Sequence, residues 1–465
     1  MKTQSRNVQC NDVQCNDERE RTMRHFVKLG LLATLAASAT AASAADLEFH
    51  GYARAAIGVS SQKGNGSCFQ LNTGDAKLRL GNECDWVIEP SFEMAFTKLE
   101  DKSAWGVHMT PALFTRFDDN RFQTANGDNR AAEELPVYFK EFYFFGREIS
   151  QLGGGELWLG RRYFDRQYLG AINDQFLEAQ DGIGAGLYNI KLGGPKLSFS
   201  LIYDPFTNGD AAAVNDRNLG IGVHVDGIQT LNKDSSLQFW GHVYVPIQVT
   251  SGPDQVAKRK TGFSASATHI AGLGSAGTLT LAARYDTNAY TDQQNSGGGG
   301  LQQIRGVAVY GVNFPSARTS LDVVGEYRHQ KRIASLSDAD DPDASSDWIQ
   351  AGFRTDTQIS GPFRFLLEAG VDSSKAKGAD VGSGAGQFYG NDKRHTIFKV
   401  TPCLAINGGN DAGSRPTFRL YYTYASWNKD ATSDVFAAFK DSGLASQFAD
   451  KTSGGTIGLQ AEGGW

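Results

Sequence analysis

The stretch Thr417-Phe418-Arg419-Leu420-Tyr421-Tyr422-Thr423-Tyr424 decides the fold. Phe418, Leu420, Tyr422 and Tyr424 alternate with Thr417, Arg419 and Thr423, so an extended segment carries an apolar row on one face and a polar row on the other. The pattern recurs upstream. Leu197, Phe199, Leu201 and Tyr203 interleave with Lys196, Ser198 and Ser200. Leu279, Leu281 and Ala283 do so with Thr278, Thr280 and Arg284, and Leu321, Val323 and Tyr327 with Asp322, Glu326 and Arg328. About eighteen such runs follow residue 47. Turn clusters separate them, among them Gly153-Gly154-Gly155, Gly193-Gly194-Pro195 and Gly297 to Gly300, together with longer polar stretches such as Ser335 to Ser346.

Short strands joined by alternately tight and long connections are the pattern of an all-β, transmembrane antiparallel barrel, whose strands need roughly 9–11 residues to cross. A soluble β-sandwich or an autotransporter passenger also alternates. A soluble chain this long would divide into domains at linkers, and no such boundary is visible. The last run sets Ile457, Leu459 and Ala461 against Thr456, Gln460 and Glu462 and ends on the aromatic Trp465, as the closing strand of an outer-membrane barrel does.

The amino end reads as an export signal that begins late. Arg24, His25 and Lys28 precede the apolar run Leu29 to Ala39, and Ala42-Ser43-Ala44 fits a small-residue cleavage site. Residues 23–45 are thus expected to be a signal peptide, with 46–465 the single barrel domain. Residues 1–22, where Val8 to Asp12 repeats at Val13 to Asp17, fit no part of a signal peptide. Residues 1–45 carry six basic and four acidic groups, so the remaining 420 residues carry -8 where the whole chain carries -6. With pI about 5.8 and both signs dispersed, no basic stripe exists to neutralise phosphates, which argues against nucleic acid as a partner. Beyond residue 45 no apolar run approaches the roughly 18–20 residues of a spanning helix. Cys68 and Cys84 flank a Gly-containing connection and are expected to form a disulfide in an oxidising compartment. Cys403 is left as a small buried or lipid-facing residue.

Phe49-His50-Gly51-Tyr52-Ala53-Arg54 with Gly58 resembles the opening strand of the maltoporin family. Cys68-Phe69-Gln70 and Lys77-Leu78-Arg79-Leu80-Gly81-Asn82-Glu83-Cys84 resemble its disulfide-closed first loop and second strand. Ser414-Arg415-Pro416, Thr423-Tyr424-Ala425 and Trp427 resemble its penultimate strand, and Gly458 to Trp465 its last. The resemblance implies an 18-stranded barrel in the outer membrane of a Gram-negative bacterium, assembled as a homotrimer among outer-membrane lipids. Saccharides such as maltose and maltodextrins would pass a constriction formed by the inward-folded third loop, without metal or cofactor. In such a pore aromatic rings meet the apolar faces of pyranose units while flanking charges exchange hydrogen bonds with the hydroxyls.

Alternation places Phe49, Ala53 and Ile57 on one face of the first strand and Tyr52 and Arg54 on the other, toward the lumen. Lys77, Arg79, Glu83 and Glu89 are expected to share a face of the second strand, with Arg79 and Glu89 in the polar track. Lys140 in Phe139-Lys140-Glu141 stands where the family has an arginine and lacks its planar fork. The third loop is expected to begin after Trp158-Leu159-Gly160-Arg161-Arg162 and to end near Gly182 to Gly186. Arg166 matches a constriction arginine, with Asp174 its acidic partner and Phe176 the aromatic, and Tyr168 stands where the family has an acid. Gly413, Gly464 and Val87 occupy positions where the family carries stacking aromatics. Phe122 and Phe263 are candidate substitutes, although Phe263 shares a face with Ala265 and Ala267. These losses keep open a general diffusion porin without a sugar site. No Gly-x-Ser-x-Gly elbow or His-Glu-x-x-His motif supports an outer-membrane hydrolase.

Overall fold

The computed structural model describes residues 46–62, 66–71, 77–100, 102–116, 122–123, 129–130, 138–170, 172–173, 176–205, 217–248, 260–289, 301–333, 344–377, 392–432, 435, 448 and 450–465. The expected signal peptide and the segment before it lie outside these residues. Eighteen strands form the barrel. The first nine are β1 (Asp46–Ser60), β2 (Asp85–Lys98), β3 (Ala104–Arg116), β4 (Tyr138–Ile149), β5 (Gly155–Tyr168), β6 (Phe176–Lys191), β7 (Lys196–Pro205), β8 (Arg217–Gln229) and β9 (Ser236–Gln248). The rest are β10 (Gly262–Gly272), β11 (Thr278–Ala289), β12 (Leu301–Phe314), β13 (Thr319–Arg332), β14 (Ser345–Ser360), β15 (Phe363–Lys377), β16 (Arg394–Asn407), β17 (Thr417–Trp427) and β18 (Ser453–Gly464). Each pairs antiparallel with its chain neighbours, and β1 closes the ring against β18 from Tyr52 opposite Gly464 to Ser60 opposite Thr456.

Burial is inverted relative to a soluble protein. Leu159, Val59 and Phe418 expose 61%, 58% and 58% of their surface, whereas Gln350, Glu368 and Thr423 expose 0%. Charged residues are almost never fully buried unless paired, so a wall apolar outside and ionic inside is built for lipid. Along β17 the alternation resolves as the sequence requires: Phe418, Leu420, Tyr422 and Tyr424 point outward, and Thr417 and Thr423 are buried. Phe263 is exposed on the outer wall, so it faces lipid. The side chain of Phe122 lies outside the described residues. Short connections such as 192–195, where Gly193 takes φ +87° and Leu192 N–H donates to Pro195 O at 3.0 Å, alternate with longer ones. Gly297 to Gly300 and most of Ser335 to Ser346 fall outside the described residues. No helix among the described residues is long and apolar enough to cross a membrane.

One hairpin leaves the wall. β5 pairs with β4 only up to Arg161 opposite Phe142, and β6 pairs with β7 only from Ile183 opposite Tyr203. Between these points β5 and β6 pair with each other, as far as Tyr168 opposite Phe176. Gly160 marks the departure. Its φ is +142°, and a Cβ there would lie 2.4 Å from the Phe142 carbonyl oxygen, so a side chain is excluded. The freed hairpin crosses to strands remote from its neighbours. Asp165 Oδ2 accepts from Trp240 Nε1 at 2.9 Å, Gln167 Nε2 donates to Gln238 Oε1 at 3.2 Å, and Arg305 Nη1 donates to Phe176 O at 3.1 Å. Its tip buries Ile172 and Leu177 against Ala282, Val307 and Val324 of β11–β13.

The connection from β1 to β2 also turns inward. Cys68 and Cys84 form a disulfide with Cα atoms 5.9 Å apart, and Phe69 and Leu71 pack with Trp427 and Phe448. Lys77 to Cys84 is not the start of the second strand, as the sequence led us to expect, because β2 begins at Asp85. Apart from one antiparallel bridge, Leu78 to Asn173, its backbone is bonded by wall side chains. Leu80 N–H donates to Glu368 Oε1 at 2.9 Å, and Thr423 Oγ1 donates to Gly81 O at 3.0 Å. Cys403 is buried beneath Leu80, beside Leu366, Ala405 and Tyr421, and does not face lipid.

The two faces of a strand should respond differently to charge. Leu201, near the middle of β7, is exposed on the outer wall. Leu201→Arg is expected to cost about 2–4 kcal/mol, the price of an arginine near the bilayer midplane. Denaturant titration of the barrel refolded into lipid vesicles checks this, and a cost near zero would contradict the assigned face.

Candidate permeation site

Two elements bring the site together. β1 and the inward first loop supply Tyr52, Arg54, Arg79 and Glu83, the start of β2 supplies Asp85, and the hairpin supplies Tyr163, Arg166, Tyr168, Phe176 and Asp181. β2 and β4 add Glu89 and Lys140. Arg54 lies within the wall's own network: Nε donates to Asp85 Oδ1 at 2.8 Å, Nη1 donates to Tyr52 Oη at 3.1 Å, and Glu83 closes the group. Tyr52 Oη in turn donates to Glu462 Oε1 at 3.3 Å. Arg79 pairs with Glu83 and reaches across to the hairpin, where Nη1 donates to Tyr168 Oη at 3.0 Å.

The hairpin continues the row. The Tyr168 and Phe176 rings lie 5.6 Å apart. The Arg166 guanidinium stands 5.0 Å from the Phe176 ring and 3.6 Å from the Tyr163 ring, within reach of cation–π attraction. Lys140 Nζ stands 5.7 Å from the centre of the Tyr163 ring and pairs with Glu89. Rings and charges therefore form one connected row from Glu462 to Glu89. Accessibility divides them. Arg79, Arg166 and Lys140 side chains keep 29%, 28% and 23% of their surface open, whereas Arg54 and Glu83 keep 9% and 7%. The first three keep an open side-chain surface, whereas Arg54 and Glu83 are buried in the network that joins β1 to the first loop.

Asp174 lies outside the described residues. The acid that holds Arg166 is Asp181, with Arg166 Nε donating to Oδ1 at 2.8 Å and a second contact from Nη2. Asp181 sits opposite Tyr163 in the hairpin register, and that pairing was the signal to follow. Glu83, four residues after Arg79, and Tyr168, which takes the Arg79 bond, are the other residues that sequence reasoning left out of the site. Arg162 braces the wall, as its guanidinium packs over the rings of Tyr143, Trp158, Phe164 and Tyr188 and pairs with Glu156. Val87 is buried, and a Cβ at Gly413 would meet open space, so neither position carries a ring toward the lumen. The described residues hold no group of three or more His, Cys, Asp or Glu suited to a metal ion.

A closed barrel of eighteen antiparallel strands, apolar outside and lined within by paired charges, is an outer-membrane channel. Residues 47–465 match the model of the LamB porin family, and the chain belongs to that family, the maltoporins of the Gram-negative outer membrane. Among solved structures it is similar to OprD of Pseudomonas aeruginosa, at 13% identity and TM-score 0.47, over 90% of this chain and 95% of that one. OmpT of Vibrio cholerae in its trimer form is similar at 9% identity and TM-score 0.41, over 91% and 100% of the two chains. OccK3 of Pseudomonas aeruginosa is similar at 12% identity and TM-score 0.45, over 90% and 96%.

Glu83 ties the first loop to the site. Burial pushes its carboxyl upward, but the Arg79 and Arg54 guanidiniums outweigh this and hold it at about 2, below the ordinary 4.5. A lowered carboxyl contributes stability above its ordinary range and loses it as the pH falls through the folded value. Glu83→Gln is therefore expected to lower the midpoint of thermal unfolding at pH 7, with the gap from wild type closing between about pH 4.5 and pH 2. Circular dichroism melts at several pH values measure it. A gap that is absent at pH 7 or grows on acidification contradicts the pairing.

Proposed function

We propose that this channel passes saccharides down their gradient, with the inward hairpin as its constriction. The observation that supports this most strongly is the row of accessible Arg79, Arg166, Lys140 and Glu89 with Tyr168, Phe176 and Tyr163 set between them. A sugar presents hydroxyls at its rim and C–H bonds on its face. The charged groups can exchange hydrogen bonds with the rim while a ring takes the face, so water is replaced one contact at a time. A general diffusion porin is the second reading, favoured by the lack of rings at Gly413, Gly464 and Val87.

The working form is proposed to be a homotrimer, exported with loss of residues 1–45. The part of β5 that stays in the wall, Gly155–Arg161, is shorter than the roughly 9–11 residues a strand needs to cross. Above Phe142, β4 keeps a ladder on the β3 side only, and backbone groups at membrane depth need protein cover. A neighbouring subunit supplies such cover, and OmpT is one porin described as a trimer.

Planar-bilayer conductance during titration with maltose, maltodextrins and sucrose tests the reading. Saturable block is expected. Arg166→Ala leaves Asp181 unpaired, so it should shift ion preference toward cations. It should also weaken block by roughly ten- to a hundredfold, the worth of a hydrogen bond to a charged group. Stable channels that no saccharide blocks would leave the general-porin reading in its place.

A further inference from the structure

The hairpin that leaves the wall has no ladder to β4 or β7 along residues 162–182, and an isolated two-stranded hairpin is marginal in water. Polar anchors hold one side of it to β9 and β12. Its other side meets the first loop. Arg79 N–H donates to Ile172 O at 2.9 Å, and Leu78 and Asn173 form an antiparallel bridge, so the loop lies along the hairpin tip as a third strand. The Leu78 side chain, 2% exposed, joins Ile172 and Leu177 in the same apolar cluster.

The loop is in turn fixed to the far wall. Lys399 donates to the carbonyls of Leu78 and Leu80, the latter at 3.3 Å, and both Lys399 and Glu368 are buried. Leu78 also enters a seat that the wall leaves vacant. Gly352 and Gly370 face each other across β14 and β15, and a Cβ on them would lie 2.9 Å and 2.5 Å from the Leu78 methyl carbons. Any larger residue in that pair would displace the leucine. Behind it, the Cys68–Cys84 disulfide keeps the loop short.

We propose that Leu78 is a positioning residue for permeation: seated between Gly352 and Gly370, it makes the first loop the strut that holds the hairpin at one distance from β1 and β2. The proposal rests on the reading that the hairpin forms the constriction. Leu78 touches no solute; it acts through Ile172, Leu177 and Arg79.

The test compares single-channel conductance, open-channel current noise and sugar block in wild type, Leu78→Ala, Leu78→Asp, Leu78→Met and Arg166→Ala. Heat-modified mobility on gels establishes that each barrel has folded. Leu78→Ala and Leu78→Asp are expected to raise conductance and noise and to weaken block by unrelated sugars in equal proportion, as a wider and unsteady passage requires. Leu78→Met, close in volume, is expected to rescue both. Arg166→Ala should change ion preference without raising the noise. Folded Leu78→Ala with wild-type conductance and noise overturns the proposal, and if Leu78→Asp fails to assemble Leu78→Ala alone decides. Silence of Leu78→Ala beside an altered Arg166→Ala leaves the constriction standing and removes the strut. Silence of both removes the constriction reading itself.

Discussion

Inside a bilayer no water is available to a peptide group, so every strand must find a partner on both sides or be covered by protein. Closure of β1 on β18 meets that demand for the ring as a whole. Everything else in the molecule is arranged around it. Because the outer face is settled by lipid, side chains of the inner face are free to be charged, and they pair across neighbouring strands into networks such as Arg354–Glu368–Lys399 and Arg305–Glu326. The hairpin of β5 and β6 forgoes wall partners along residues 162–182 and recovers them from β9, β12 and the first loop.

Much of this was legible because alternation is a local property. Thr417 to Tyr424 and the opening Phe49 to Arg54 announce their two faces within eight residues, and in the structure Phe49, Phe418, Leu420, Tyr422 and Tyr424 are exposed while Arg54, Thr417 and Thr423 are buried. Lys77 to Glu83 misled for the same reason: a loop whose backbone is bonded by distant side chains can carry an alternating pattern without being a strand. Glu368, Lys399 and Thr423, which take those bonds, lie hundreds of residues away and nothing in the local pattern points to them. The partner of Arg166 depended on register within a hairpin whose turn length had first to be known. Asp181 follows once Tyr163 is placed opposite it, while Asp174, to which the family pattern points, lies outside the described residues.

The lumen is consequently lopsided. With the hairpin and first loop leaning on β8–β17, that half of the interior is packed like a soluble core, with Gln350 and Trp348 fully buried. The accessible charges and rings gather on the other half, near β1, β2 and β4.

Sequence distance gives the first loop a further meaning. Leu80 is bonded to Glu368 across 288 residues, and Gly81 to Thr423 across 342. The seat for a segment near the start of the barrel is made by some of its last strands, so it does not exist until β14–β17 have formed. Contacts of such separation are slow to find. The first loop therefore cannot reach its final place before those late strands are formed.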